Sequence, residues 1–516
     1  MTIRSLRNTA ALATGFVLVA GAAACNNSDI TSLNINPNSP ELAPPSAVFT
    51  NAVQNSVSRW LGTTYDLRQL EFVAQHLAEV QYPDEDRYQR IKAGDTQGAF
   101  TTSYNASLED FRQVIKSGTT SNSPAIYGPA AVMQQWEFGY LTDSWGDVPY
   151  SDALAGDSTG GAVLPKYDAQ KDIYTGMFAK LTKATTDLQG ASRDNFGGTD
   201  PIYGGSQSKW AKFSNSLRAR YAIRLADADK ATADAQLKAA FAASSGVFAS
   251  NADNAQLQWP GDGVFNNPWS DNFKTRDDHR LSKTFYDILN GNSDPRLAIF
   301  AQPTKDFSDG TTTLEYNGQP NGLSAAIAGT YFTSTSRPGA IFYPGTTAYG
   351  TFGGNGAKQP SYLMTYAEVS FIKAEAAERA IGGLTSAQAA GFYNAGIAAS
   401  LDQWGVDAAS AAAYLAQPGI AYTSGTAGLK QIATQKWIAL FSDGGQAWFE
   451  WRRTCQPSTI KAGPSAILTY VPRRLFYPTL ELSVNGDNVA AAVARQGADN
   501  MATHVYWDKG TAPSCF

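Results

Sequence analysis

Leu363–Gly383 reads LMTYAEVSFIKAEAAERAIGG, and the spacing of its apolar residues is helical. Met364, Ala367, Phe371, Ala374, Ala377 and Ile381 recur at steps of three and four, which lays one apolar stripe along a helix over Thr365–Ile381. Gly382 and Gly383 stop it. The small residues in the stripe let a second helix approach closely, so this segment belongs in a helical layer. Leu429, Ile432, Ala433, Trp437, Leu440 and Phe441 repeat the pattern up to Asp443, Gly444 and Gly445. Helical period also marks Ala47–Leu61, Leu67–Val80, Ser103–Lys116, Pro129–Leu141, Ala169–Leu188, Ser206–Ala228, Thr232–Ala243, Leu281–Asn290, Ser386–Leu401 and Gln446–Thr454. The chain is therefore mainly α, with helix dominating both ends.

The middle differs. From about residue 251 to 360 the sequence is rich in Gly, Pro, Asn, Thr and aromatics (QWPGDGVFNNPWSDNF, then YFTSTSRPGAIFYPGTTAYGTFGGNG), a composition of loops and short strands. So long an irregular region carried on a helical frame is usually a functional surface.

The whole chain has 516 residues, 43% of them hydrophobic, which is enough for a large core and excludes disorder as its main state. A net charge of -5 gives no long-range attraction for nucleic acid or an anionic membrane surface. No apolar run approaches the roughly 20 residues of a bilayer-spanning helix. At the amino terminus, Arg4 and Arg7 precede the apolar stretch Ala10–Ala24, which ends at Cys25. This is a signal-peptide layout over 1–24, and small residues before Cys resemble a bacterial lipobox, with Ala22 where such boxes usually have Leu. Cys25 is then the lipidated first mature residue, and two or more acyl chains at about 0.8 kcal/mol per buried methylene would moor it. Plain secretion with an incidental Cys is the alternative. Residues 25–45, marked by proline from SLNINPNSPELAPP onward, read as a tether, and 46–516 as one domain with the loop-rich insert. Of the remaining thiols, Cys455 and Cys515 either form a bridge or stay free. A bridge would close a loop of about 60 residues, worth roughly 3–4 kcal/mol in the chain-entropy model.

Walker, HExxH and CxxC signatures are absent from the sequence. His76, His279 and His504 have no ligand-like spacing and read as structural or surface residues. The run Asp84, Glu85, Asp86 lacks the alternating ligands and Gly of a calcium loop and reads as a solvated turn. No catalytic residue, metal or cofactor is assigned. Paired carboxylates come together only in the fold, which keeps a glycan-degrading hydrolase open. Sugars stack their C–H faces on aromatic rings and place their hydroxyls on amides and carboxylates. Trp259, Phe265, Trp269 and Phe273 alternate with Asp262, Asn266, Asn267 and Asp271 in just that mixture. Trp259, Trp269, Phe273, Asn267 and Asp271 are therefore the expected ligand contacts. Gly146 and Pro149 make a turn expected to expose Trp145, Asp147 and Tyr150, where ligand or transporter contact and simple packing are equal readings, and Trp145 is added to the contacts on the first. Glu368, Glu375 and Arg379, at steps of seven and four, are expected to lock helices by pairing with each other or with Arg452 and Arg453.

Four blocks in this order resemble the SusD/RagB family of nutrient-binding outer-membrane lipoproteins. They are INPNSP in the tether, LTDSWGDVPYSDAL (Leu141–Leu154), the Leu363–Gly383 block, and QKWIALFSDGGQAWFEWRRT (Gln435–Thr454) with VPRRLFYPTLELSVN (Val471–Asn485). The resemblance implies a SusD-like scaffold of helix hairpins like tetratricopeptide repeats, a loop-rich ligand face and no catalysis. It further implies a lipid-anchored protein facing the exterior on the outer membrane, which acts as a lid over a SusC-like TonB-dependent transporter. The ligand would be an oligosaccharide or a peptide.

Overall fold

A computed structural model describes residues 43–509 except 157, 159, 191–193 and 348. The leader, Cys25, most of the tether and Cys515 lie outside the described residues. Helices neighbouring in sequence pack as neighbours in space: Leu108–Thr120 on Pro124–Trp145, Gln170–Asp187 on Gln207–Arg224, and Tyr366–Glu378 on Ala389–Gln403. The mainly helical architecture expected from the sequence is what the chain adopts. The Leu363 block forms the helix Tyr366–Glu378, capped by the Thr365 hydroxyl accepting from Glu368 N–H at 3.2 Å. Its close approach to Ala389–Gln403 depends on Gly396, where a Cβ would lie 2.8 Å from the Phe371 ring. Trp60, Trp136, Trp145, Trp210, Trp437, Trp448 and Trp507 are fully buried in the main core, beside a second apolar cluster around Phe371, Tyr393 and Ile397.

Charge is buried here as pairs. Arg453 holds Glu375 at 2.5 Å and Glu450 at 2.7 Å, Lys436 reaches Glu450 at 3.1 Å, and Arg220 holds Glu368 at 2.7 Å. Burial alone would raise the Glu375 carboxyl, and the guanidiniums of Arg453 and Arg379 overcome it to hold the group below its ordinary value. The expected helix-locking role of Glu368, Glu375 and Arg379 is realised, with Arg220 as an unforeseen partner. Arg452 instead donates to the carbonyl oxygens of Arg473 and Asp143 and lies over the Trp448 ring, 3.8 Å from its centroid.

Two short strand pairs fix the insert. Ala255–Leu257 pairs antiparallel with Ser361–Met364, so the irregular region leaves and re-enters the frame at one place. Leu77–Glu79 pairs with His279–Leu281 in the register Leu77↔Leu281, Ala78↔Arg280, Glu79↔His279. That second pair corrects the helix expected over Leu67–Val80. A π-helix Thr63–Leu70 and the turn Glu71–Val73 precede Gln75 at φ 57, and the chain then turns extended. A partner strand supplied from two hundred residues away outweighs local helical period. The insert itself contains the helices Pro268–Phe273 and Lys283–Gly291, the latter beginning two residues after Leu281, which belongs to the strand. Ala408–Leu415, Thr479–Val484 and Gly486–Gln496 are helices with no expectation behind them. No helix among the described residues is long and apolar enough to cross a membrane.

Candidate functional site

The insert divides its aromatic rings into an inner and an outer set. Trp269 is 2% exposed and packs on Phe342 and Phe441 with centroids 5.2 and 6.0 Å apart. Phe273 is fully buried and stacked on Tyr343 at 4.4 Å. Trp145 is fully buried too, its indole N–H donating to the Phe476 carbonyl oxygen at 2.6 Å, and Asp147 and Tyr150 are buried beside it. In this conformation none of the three rings offers a face to a ligand, which corrects the expectation for Trp145, Trp269 and Phe273. Rings of this size leave water whenever the backbone can close over them, however loop-like the surrounding composition. Asn267 acts as a brace: its side chain accepts from Trp269 N–H at 2.9 Å, capping Pro268–Phe273, and donates to the Gln359 carbonyl oxygen at 2.8 Å. Trp259 is buried with its N–H on Ser361 Oγ at 2.9 Å. Together with the exposed carboxylate of Asp271 it lines one side of a hollow of about 340 Å³. Of the expected contacts, the structure brings only these two to one surface.

The outer rings of the insert include Phe265, 46% exposed, Phe307, 37%, and Tyr349, 44%, and Tyr82, 69% exposed, joins them from outside the insert. Tyr349 and Tyr82 meet the same turn. The Tyr349 hydroxyl donates to the Thr275 carbonyl oxygen at 2.7 Å, and the guanidinium of the next residue, Arg276, sits 5.2 Å from the Tyr82 ring centroid. Tyr82 is carried there by the pairing of Leu77–Glu79 with His279–Leu281, extended by Val80 N–H donating to the Asp278 carbonyl oxygen at 2.9 Å. Its φ of 56 is a conformation that non-glycine residues rarely adopt without a local reason. Arg276 also pairs with Asp278.

Beneath this surface lies an acidic floor. Glu85 is buried against Arg68, and Asp86 accepts from Asn321 Nδ2 at 2.7 Å and Gly322 N–H at 2.9 Å, which corrects the solvated turn expected there. Burial raises the Asp86 carboxyl to about 7. Glu79 is fully buried with neither oxygen hydrogen-bonded, and burial, then Glu85 and Asp278, push its carboxyl well above the ordinary value. Burial thus favours the neutral acid at Glu79 and Asp86, whereas at Asp278 burial is overcome by His279 and Arg276, which hold the carboxyl below its ordinary value. Two phenol faces in water beside a guanidinium are the groups that stack and hydrogen-bond a sugar ring.

Tyr82, Arg276 and Tyr349 were not legible as a site in the sequence. Only Tyr82 left a trace, standing before Pro83 and the acidic run. His76 is buried between Glu71 at 2.9 Å and the Trp437 carbonyl oxygen at 3.0 Å, and burial lowers its pKa to about 3. His279 is buried beside Asp278. No group of three His, Cys, Asp or Glu among the described residues could hold a metal ion. Cys455 is disulfide-bonded, while Cys515 lies outside the described residues.

Residues 37–478 match the SusD-like family described as starch-binding and associating with the outer membrane. Among solved structures, a chitin-binding protein is 27% identical with a TM-score of 0.76, over 90% of this chain and 100% of that one. A chitin-binding SusD homologue from Flavobacterium johnsoniae is 26% identical with a TM-score of 0.74, over 90% and 98%. A SusD homologue from Bacteroides vulgatus is 25% identical with a TM-score of 0.73, again over 90% and 98%. No curated protein matches the chain. A match over most of the length, on a fold shared from end to end, makes this chain a member of the SusD-like family.

Proposed function

We propose that this protein captures an oligosaccharide at the outer face of the outer membrane and passes it, uncleaved, to a SusC-like TonB-dependent transporter. The observation that carries the reading is the Tyr82–Arg276–Tyr349 surface, where two rings are kept in water by contacts to one turn. Exposed aromatics on a braced loop bind sugar faces without a large ordering cost. Family membership and two similar chitin-binding structures support a glycan over a peptide and make chitin oligosaccharides the first probe. Delivery follows as lid closure: ligand held between this surface and the transporter gains effective concentration before import. In this reading Cys25 carries the lipid, and Cys455 pairs with Cys515 to hold the carboxyl-terminal end to the body.

Calorimetric titration with chitohexaose and maltohexaose, followed by analysis of the sugar for shortened products, tests the reading. Binding without new reducing ends is the expected result. Shortened products would establish a hydrolase instead, and binding of peptides alone would move the ligand class. Labelled palmitate that enters the parent protein and not Cys25→Ser checks the anchor. A two-hydrogen mass difference on reduction checks the disulfide.

A further inference from the structure

The hollow lined by Trp259 and Asp271 is not part of the tyrosine surface, yet its construction is that of a binding site. Its far wall is the helix Pro45–Trp60, which presents Asn51, Gln54, Asn55 and Ser58 at steps of three, one and three along one face. Its near wall is the turn Gly261–Asn266. That turn is preformed: Asp262 Oδ1 accepts from Val264 and Phe265 N–H at 2.9 and 2.8 Å, Asn266 Oδ1 accepts from Gly263 N–H at 3.0 Å, and Gly261 N–H donates to the Phe265 carbonyl oxygen at 2.9 Å. So much local bonding holds Val264, 76% exposed, and the Phe265 ring in water beside a polar wall. Phe265 makes no ring contact among the described residues, and the amides of Gln54 and Asn55 have no hydrogen-bond partner there. Asp271 is the only charged side chain in the lining, and Lys274 already neutralises it at 2.5 Å. An apolar ring and free amides, with no cation in the lining, its one carboxylate already engaged by Lys274 and that of Asp262 by the amides of the turn, suit a neutral polyhydroxylated ligand better than an anion.

We infer that this hollow is a second sugar subsite, in which a neutral pyranose ring stacks on Phe265 and hydrogen-bonds Gln54 and Asn55. The inference rests on the glycan-capture reading. Pro268 and Asp271 belong to the hollow, and the helix they open and occupy, Pro268–Phe273, leads into Thr275 and Arg276 of the tyrosine surface. Six helical residues rise about 9 Å. The two surfaces are thus separated by one short rigid element, and a chain of several sugars could engage both while a disaccharide engages one.

The test uses the full-length protein in detergent, titrated with chitohexaose, maltohexaose and the disaccharide of each series. Phe265→Ala and the double variant Gln54→Ala/Asn55→Ala are expected to weaken the hexasaccharide that binds by about fivefold, the order of one lost side-chain contact. Disaccharide affinity and the melting temperature should stay those of the parent. Tyr82→Ala should weaken both ligand lengths. Hexasaccharide affinity within twofold of the parent in both hollow variants, with Tyr82→Ala still defective, would overturn the subsite and leave the tyrosine surface standing. No binding of either series by the parent protein would overturn both readings together.

Discussion

The helical frame and the outer face of the loop-rich insert handle polarity differently. In the frame, charges go inside and are matched: Arg453 bridges Glu375 and Glu450, and Lys436 adds a second cation to Glu450. Burial alone would raise the Glu450 carboxyl, yet the surrounding Arg453, Lys436 and Arg224 hold it well below the ordinary value. The insert buries matched pairs too, Arg296 with Asp294 and Arg337 with Asp277, but at its outer face Asp262 and Asn266 tie their own turn, and its aromatic rings are split between an anchor and a surface. Trp269, Phe273, Phe342 and Tyr343 nail the insert to the core, and Phe265 and Tyr349 stay outside. Inner rings give the outer ones a fixed address. A binding face built from loops can then be as rigid as one built on helices.

The sharpest way to break this contrast is to unpair the frame. Arg453→Ala leaves Glu375 and Glu450 buried with their strongest partner gone, and a loss of about 3–5 kcal/mol in unfolding free energy by denaturant titration is expected. Replacing the cluster together by apolar residues of similar volume should cost far less. Trp269→Ala is the corresponding test of the inner insert. As a core ring it should lower stability by about 3–5 kcal/mol, with binding altered only through the fold. A stable Trp269→Ala protein that fails to bind sugar would restore Trp269 to the ligand and dismantle the division into inner and outer rings.

These substitutions also show what the sequence made legible. Period along Leu363–Gly383 and Leu429–Phe441 is a local property, and both segments are helices in the structure. The location of the irregular region was equally local, being compositional. Which rings in it face water is not. Trp269 and Phe265 sit four residues apart in similar surroundings, and their fates are set by Phe342 and Phe441 on one side and by the Asp262 turn on the other. Tyr82 lay outside the insert altogether and reached the surface through strand pairing with His279–Leu281. Arg220 as the partner of Glu368 was hidden for the same reason, being 148 residues away. Long-range pairing leaves no mark in periodicity.

At the outer rings the expected effects are smaller and fall on binding alone. Tyr82→Ala and Tyr349→Ala should each weaken oligosaccharide binding by about 1–2 kcal/mol in calorimetry, with unfolding changed by less than about 0.5 kcal/mol. A large loss of stability in either variant would mean that the ring braces the turn at Thr275 and Arg276 and is no free platform.

The smallest effect concerns the acidic floor beneath Tyr82, and its sign depends on pH. Burial raises Asp86 from an ordinary carboxylate value to about 7, so the folded chain holds this proton more tightly than the unfolded one. Its contribution to stability is complete below the ordinary carboxylate value near 4 and is lost progressively as pH rises from there through 7. His76, lowered to about 3 by burial, works the other way: its contribution is present above the ordinary imidazole value near 6.5 and is lost as pH falls below it. For these two groups the opposing slopes nearly cancel between about pH 4.5 and 6, and their combined contribution then falls by roughly 0.5 kcal/mol between pH 6 and 8. Asp86→Asn removes the alkaline limb and keeps the acid one, because an amide cannot ionise and the hydrogen bond from Asn321 or Gly322 can still reach its oxygen. Denaturant titrations of the parent and this variant at pH 6, 7 and 8 check it. Parallel curves would show that Asp86 does not titrate in this window.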